Sequence, residues 1–281
     1  MIRPEDSNSG NILPFKPKSL LHHFEPSGRV VSPEEADKSM DLFFDAMDGV
    51  TMAQELTLLT QALKFDPRNP GALSFMIKHL RGLSADEEIA LRRKIVVIAA
   101  DQLGEEALNQ MHGHFWGFHE TRPYMRVRAE LAEALFTVGR IGEAITEWEA
   151  MLVLNPGDNQ GLRYRLLASL MALGKIPDAK RLFKQYPDEP GFSTVFSWLM
   201  VLELHLAGKE TEALKALNAA EKQNKHSKAF ILGTKGLPKQ QPDTYAAGSK
   251  EEAACFADDL QMAWAAHPAA RKWLATVSST K

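Results

Sequence analysis

The chain has 281 residues, 44% apolar and 25% charged, enough for one or two globular domains or one continuous array of helices. A net charge of −3 gives no overall attraction to nucleic acid or anionic lipid, and a single cysteine, Cys255, excludes an internal disulfide and a cysteine-based zinc site. Apolar runs such as residues 95–100 are far too short to cross a bilayer, and the N-terminus lacks a secretory apolar stretch, so we expect a soluble, cytoplasmic protein with no nucleic-acid or membrane partner.

Residues 1–31 are rich in Pro, Ser, Asn and Gly and are expected to form a flexible arm, with Leu20, Leu21 and Phe24 able to dock it on the body. Helix signals begin at Ser32-Pro33-Glu34-Glu35, where an N-cap serine, a proline in the first turn and a glutamate three residues on form a capping box. Thr51/Gln54, Ser84/Glu87 and Ser249/Glu252 repeat that spacing. These signals predict an imperfect helical pair over 35–66, closed by Asp66-Pro67, and a second pair over 70–82 and 85–103 that stops at Gly104. Residues 32–104 thus read as degenerate helical pairs and 105–121 as a junction.

From residue 122 to 222 a phrase recurs three times: Gly-x4-Ala-x3-(large apolar), at Gly139/Ala144/Trp148, Gly174/Ala179/Phe183 and Gly208/Ala213/Leu217. The offsets are 35 and then 34 residues at all three marker positions. A period of about 34 residues with A-x3-F spacing is the signature of the tetratricopeptide repeat (TPR), a stacked helix–turn–helix unit. Aligned on the glycines, the first helices place Leu131, Leu166 and Met200 in one row and Leu135, Leu170 and Leu204 in the next, a single packing face. Residues 223–281 lose the period. They read as a short helix near 227–233, a Pro/Gly-rich loop over 236–248 and two helices over 250–266 and 269–276, together a C-terminal cap for the array. No segment alternates with period two, so the expected fold is all-α, a right-handed α-solenoid of TPR-like repeats.

The densest chemistry lies in residues 112–128, which hold His112, His114 and His119, Glu120, the arginines Arg122, Arg126 and Arg128, and the aromatics Phe115, Trp116, Phe118 and Tyr124. Three readings of this stretch stand side by side. It is an aromatic plug between irregular and regular repeats, a ligand or peptide site built on arginine beside aromatics, or a metal site using the histidines. Arg128 and Arg163 take equivalent positions in adjacent repeats, where a tetratricopeptide consensus has an apolar residue. They form either ion-paired networks with acids such as Glu130, Glu147 or Asp158, or a receptor for a carboxylate or phosphate. Asn159, Gln160 and Tyr164 share that inter-repeat position.

The positions that line a tetratricopeptide groove fall on Arg126, Ala129, Glu133 and Phe136, then Gly161, Tyr164, Ala168 and Met171, then Val195, Trp198, Leu202 and His205. This largely apolar set suits a hydrophobic helix or segment as ligand; the competing expectation is that the chain's own arm or C-terminal helices fill the groove. No phosphate-loop, dinucleotide or nucleophile-elbow motif occurs.

The strings GHFWGFHETRPYMRVR and LNPGDNQGLRY, with the tail motifs ILGTKGLP and GS-x-EEA, resemble a family of bacterial tetratricopeptide-repeat proteins over residues 105–274. From about 217 onward the tail is also distantly similar to the suppression-of-tumorigenicity-seven family of eukaryotes, whose membrane segments have no counterpart here. The resemblance implies the fold and the importance of His112–Arg128 and Asn159–Tyr164, and it carries no reaction. The expectation is therefore a non-enzymatic scaffold or adaptor without cofactor or bound metal, holding a protein or peptide partner through Arg122, Tyr124, Arg126, Arg128, Asn159, Gln160, Arg163, Tyr164, Trp198 and His205. The alternative is a small-molecule, anion or metal-dependent activity at 112–128.

Overall fold

The structure is a computed structural model that describes residues 20–25 and 28–277; most of the expected arm lies outside them. Among the described residues it is all-helical, with fifteen α-helices and no strand. In chain order these are α1 (Pro33–Met47), α2 (Met52–Phe65), α3 (Pro70–Ile77), α4 (Ala85–Gln110), α5 (Arg122–Thr137), α6 (Ile141–Leu154), α7 (Leu162–Ala172) and α8 (Ile176–Gln185). They continue with α9 (Glu189–Phe192), α10 (Thr194–Leu206), α11 (Glu210–Asn224), α12 (Ser227–Ile231), α13 (Lys250–Cys255), α14 (Ala257–Ala265) and α15 (Pro268–Thr276). None of them is long and apolar enough to cross a membrane.

The capping chemistry places the helix starts as expected at α1, α2 and α4, where both halves of the box form. At α13 only one half does: Ser249 accepts from the Glu252 backbone, while the Glu252 carboxylate turns to Asn224 Nδ2 at 2.9 Å and Gly248 N at 2.7 Å. Burial explains the exchange, because Glu252 is almost wholly enclosed and accepts from donors that lie beside it. The helix expected over 85–103 does break at Gly104, at φ +78°, but helix resumes over 105–110 within α4. Phe256 divides the expected 250–266 helix into α13 and α14.

The three marker glycines share one geometry. Gly139, Gly174 and Gly208 have φ of +79°, +67° and +71°, the left-handed region that an L side chain enters only with strain. Each follows a helix whose last turn is closed twice, by Gly139 N to Phe136 O and Arg140 N to Leu135 O, and by the equivalent bonds at 174/175 and 208/209. This is the Schellman motif, which satisfies carbonyls that the helix end leaves unpaired. The alanines one turn into the next helix (Ala144, Ala179 and Ala213) are fully buried. The period is therefore a repeated chain reversal followed by a close helix contact.

The chain divides into two compact units, Met1–Glu147 and Trp148–Lys281, with the division inside α6. In the first, α1 pairs with α2, α3 with α4, and α5 packs on both α3 and α4. Its core joins Phe43, Leu59, Leu63, Leu73, Met76, Ile95 and Val127, with Leu20 and Phe24 tucked in from the end of the arm. Each such side chain contributes roughly 1.5–3 kcal/mol by leaving water. In the second unit, α7 pairs with α8 and α10 with α11, and the one-turn α9, which the sequence reading lacks, packs on α10 and α11. Helix α14 lies on α7 and α10, α15 touches α10, and α12 and α13 pack on α14.

In the first unit the capping carboxyls Glu35 and Glu87 are held below their ordinary range by the Ser32 and Ser84 backbone N–H groups, and Glu143 by Arg140. A carboxyl that titrates lower when folded contributes stability that is present above its unfolded range and lost as pH falls through its folded range. Urea unfolding midpoints should therefore drop on acidification below the ordinary glutamate range. The Glu35→Gln/Glu87→Gln variant should show a shallower drop; an identical pH dependence would contradict this assignment.

Candidate functional site

Of the aromatics in the 112–128 stretch, Phe115 is the core residue, while Trp116 and Tyr124 are half-buried and Phe118 is exposed. Phe115 is fully buried, its carbonyl accepts the Thr121 hydroxyl, and its ring lies 6.1 Å from that of Tyr124. Arg122 donates to Trp116 O at 3.1 Å with its guanidinium over the Trp116 ring. Arg128 donates through Nε and NH2 to Glu147 Oε2, at 2.9 and 2.6 Å, and through NH1 to Tyr124 Oη. His112, His114 and His119 all face outward, and among the described residues no three His, Cys, Asp or Glu side chains gather at metal-ligand spacing. The three histidines are near in sequence and are not brought together.

Arg163 sits at a denser node in the second unit. It bonds Asp158 Oδ2 at 2.9 Å, Glu189 Oε1 at 2.8–2.9 Å and Tyr164 Oη at 2.7 Å, and its guanidinium lies 4.4 Å from the Tyr164 ring centre and 5.3 Å from that of Tyr186. Asp158 has a fully buried carboxylate that also accepts from the backbone of Leu162 and Arg163. Burial pushes the Asp158 carboxyl up against these donors, and raises both Tyr164 and Tyr186 to about 12, so each tyrosine is a neutral hydroxyl. Asp158 adopts φ +45° to close the turn into α7. Each arginine thus has carboxylates of its own within its unit, as the ion-paired reading expects, and no bare guanidinium pair awaits an anion. Asn159 accepts from Asn155 Nδ2 at 3.3 Å, and among the described residues the buried Gln160 Oε1 has no hydrogen-bond partner. Glu189 and Tyr186 went unnoticed in the sequence, because nothing in the periodic pattern marks an acid on a one-turn helix as a partner of residue 163.

The expected groove of α7 and α10 is filled, which corrects two assignments. Trp198 is fully buried and donates Nε1–H to Asn224 O at 3.1 Å, so it is a core residue and not a partner contact. His205 stacks on Trp273 of α15 at 4.2 Å, and the Trp273 indole donates to Glu210. Ala168, Met171, Val195 and Leu202 are likewise fully buried. Tyr164 meets Phe196 and Phe256 edge-on. Arg165 pairs with Asp259 of α14 at 3.0 Å, and the His267 ring lies 2.8 Å from Met171 O at the end of α7. Of the two expectations for this face, occupation by the C-terminal helices is the one realised.

The first unit presents a different surface. Between α1, α3 and α5 lies a cavity of about 250 Å3 lined by Met40, Phe43, Met47, Phe75, Arg126 and Glu130 among others. Met47 and Phe44 are about half exposed. Arg126 is exposed, and among the described residues no carboxylate pairs with it. Glu130 by contrast accepts from Ser74 and lies 3.4 Å from Arg92. Sequence alignment reached Arg126; it missed Met47 and Phe75 because the first hairpins lack the marker glycine phrase that set the register. Cys255 is half-buried, and burial followed by Glu252 raises its thiol, the opposite of an activated nucleophile.

Compared with protein-family models and with curated proteins, the chain matches none. Trp198→Ala should cost about 3–5 kcal/mol of stability by emptying a buried indole site. Unchanged unfolding combined with loss of partner binding would return Trp198 to a groove role.

Proposed function

We propose that this chain is a tetratricopeptide-like adaptor, built from tandem hairpins of the kind whose period implies a right-handed solenoid, that holds a protein partner without catalysis. The reading is supported by the 34–35-residue phrase and by the identical chain reversal at its three glycines.

The docking surface is the α1/α3/α5 face of the first unit. What carries this is the juxtaposition of an apolar cavity (Met40, Phe43, Met47 and Phe75) with an exposed cation at its edge, Arg126, which no carboxylate pairs with among the described residues. A cavity of this kind takes a large apolar side chain, and the guanidinium takes a carboxylate beside it. The partner is thus a segment that presents an apolar anchor next to an acidic group. In the second unit the α7/α10 face is covered by its own C-terminal helices.

The anion- or metal-dependent reading of 112–128 has less support, since Arg122 and Arg128 are already engaged by Trp116, Tyr124 and Glu147. The adaptor reading is tested by capture from the native cell with wild type and with the Met47→Asp/Arg126→Glu variant. Both substituted side chains are exposed, so helicity should be unchanged, and retention of the partner should fall roughly tenfold or more. Equal capture by both proteins would refute the surface.

A further inference from the structure

A second cavity of the first unit, about 410 Å3, lies among α1, the start of α3, α4 and residues 111–124. Met40, Leu103, Met111 and Tyr124 supply its apolar wall, and Asp66, Asn69, Gln102 and Glu120 its polar groups; among the described residues no Lys, Arg or His lines it, and the charged groups that do are both carboxylates.

Asp66 is the informative residue. It is 7% exposed, yet among the described residues no cation pairs with it. Its Oδ1 accepts from Arg68 N at 2.8 Å, and its Oδ2 has only Gln102 Nε2, at 3.4 Å. The Arg68 side chain is turned to Asp101 instead. A buried carboxylate without a cation is costly unless something offsets it. The turn does not require the charge. At the equivalent position Asn155 closes the same Xaa-Pro turn as a neutral amide: Asp158 N donates to Asn155 O at 3.0 Å, as Asn69 N donates to Asp66 O at 3.1 Å. Residue 66 thus carries a charge that its structural role can do without, and it carries it on a cavity wall.

We propose that this cavity binds an organic cation, an ammonium or guanidinium on an aliphatic stem. Asp66 Oδ2 is the buried anchor, Glu120 the outer carboxylate, and the methionines and the Tyr124 ring enclose the stem. This site stands apart from the docking surface, with which its lining shares Met40 and Pro123 but neither carboxylate.

The test is calorimetric titration of the full chain with three probes. Cadaverine represents a free amine, Nα-acetyl-arginine methylamide a peptide side chain, and 1-pentanol a neutral stem. Saturable binding of either cation, weakened about tenfold or more by Asp66→Asn, supports the site. The tighter of the two cations identifies the source. Asp66→Asn keeps the turn, as Asn155 does, and Glu120→Gln alters an exposed residue; it should weaken binding to a smaller extent. No saturable binding of either cation, equal binding of 1-pentanol, or binding undiminished in both variants overturns the proposal.

Discussion

Residues 193–203, most of them in α10, are buried except for the half-buried Met200, among them Val195, Phe196, Trp198, Leu199, Val201 and Leu202. A surface helix shows one apolar stripe; a helix that is apolar all round has to be covered all round. Its pairing with α11 accounts for one side, and its neighbour α7 for another. The remaining side, where an open repeat array would receive a ligand, is taken by α14 and α15. The C-terminal helices therefore do more than end the repeats: they complete the core of the second unit. Polar pins fix them there, with Arg165 to Asp259, His267 to the Met171 carbonyl and Trp273 to Glu210.

The same logic accounts for the charged residues that interrupt the apolar pattern. Arg128 and Arg163 stand where an apolar side chain would be expected, and each is tolerated because carboxylates and tyrosine rings surround it. Removing either partner of such a pair leaves a charge uncompensated, which is why the pairs are organised as nodes of several bonds. Among the described residues of the first unit, Arg126 and Asp66 lack such an ion pair. One is an exposed cation beside an apolar cavity, the other a buried anion on the wall of a second, and the two proposals are built on them.

Much of the local structure was readable in advance. Capping boxes placed α1, α2 and α4, and the glycine phrase placed the reversals after α5, α7 and α10. Local hydrogen-bond chemistry depends on residues a few positions apart, so a sequence displays it directly. The groove assignment failed at Trp198 and His205 because it borrowed register from open arrays, while the relevant signal lay in α10 itself. TVFSWLMVLELHL has no polar face on which to stay wet. Met200 and Leu204, expected on the packing face, are only half-buried, whereas Trp198 and Leu202 are fully buried. Asp66 was visible only as a turn residue; its missing counter-charge is a property of three-dimensional neighbours, which no spacing rule reports.

The proposed docking surface rests on one asymmetry. The second unit closes its inner face with its own chain, and the first leaves an apolar cavity and a cation open. Peroxide oxidation of the native protein, followed peptide by peptide, tests that asymmetry most directly, because methionine oxidation tracks exposure. Met47, 48% exposed on the open face, should oxidise readily, while Met171, fully buried where a groove was expected, should resist until the protein unfolds. Met171 oxidising as fast as Met47 in the folded protein would contradict the account.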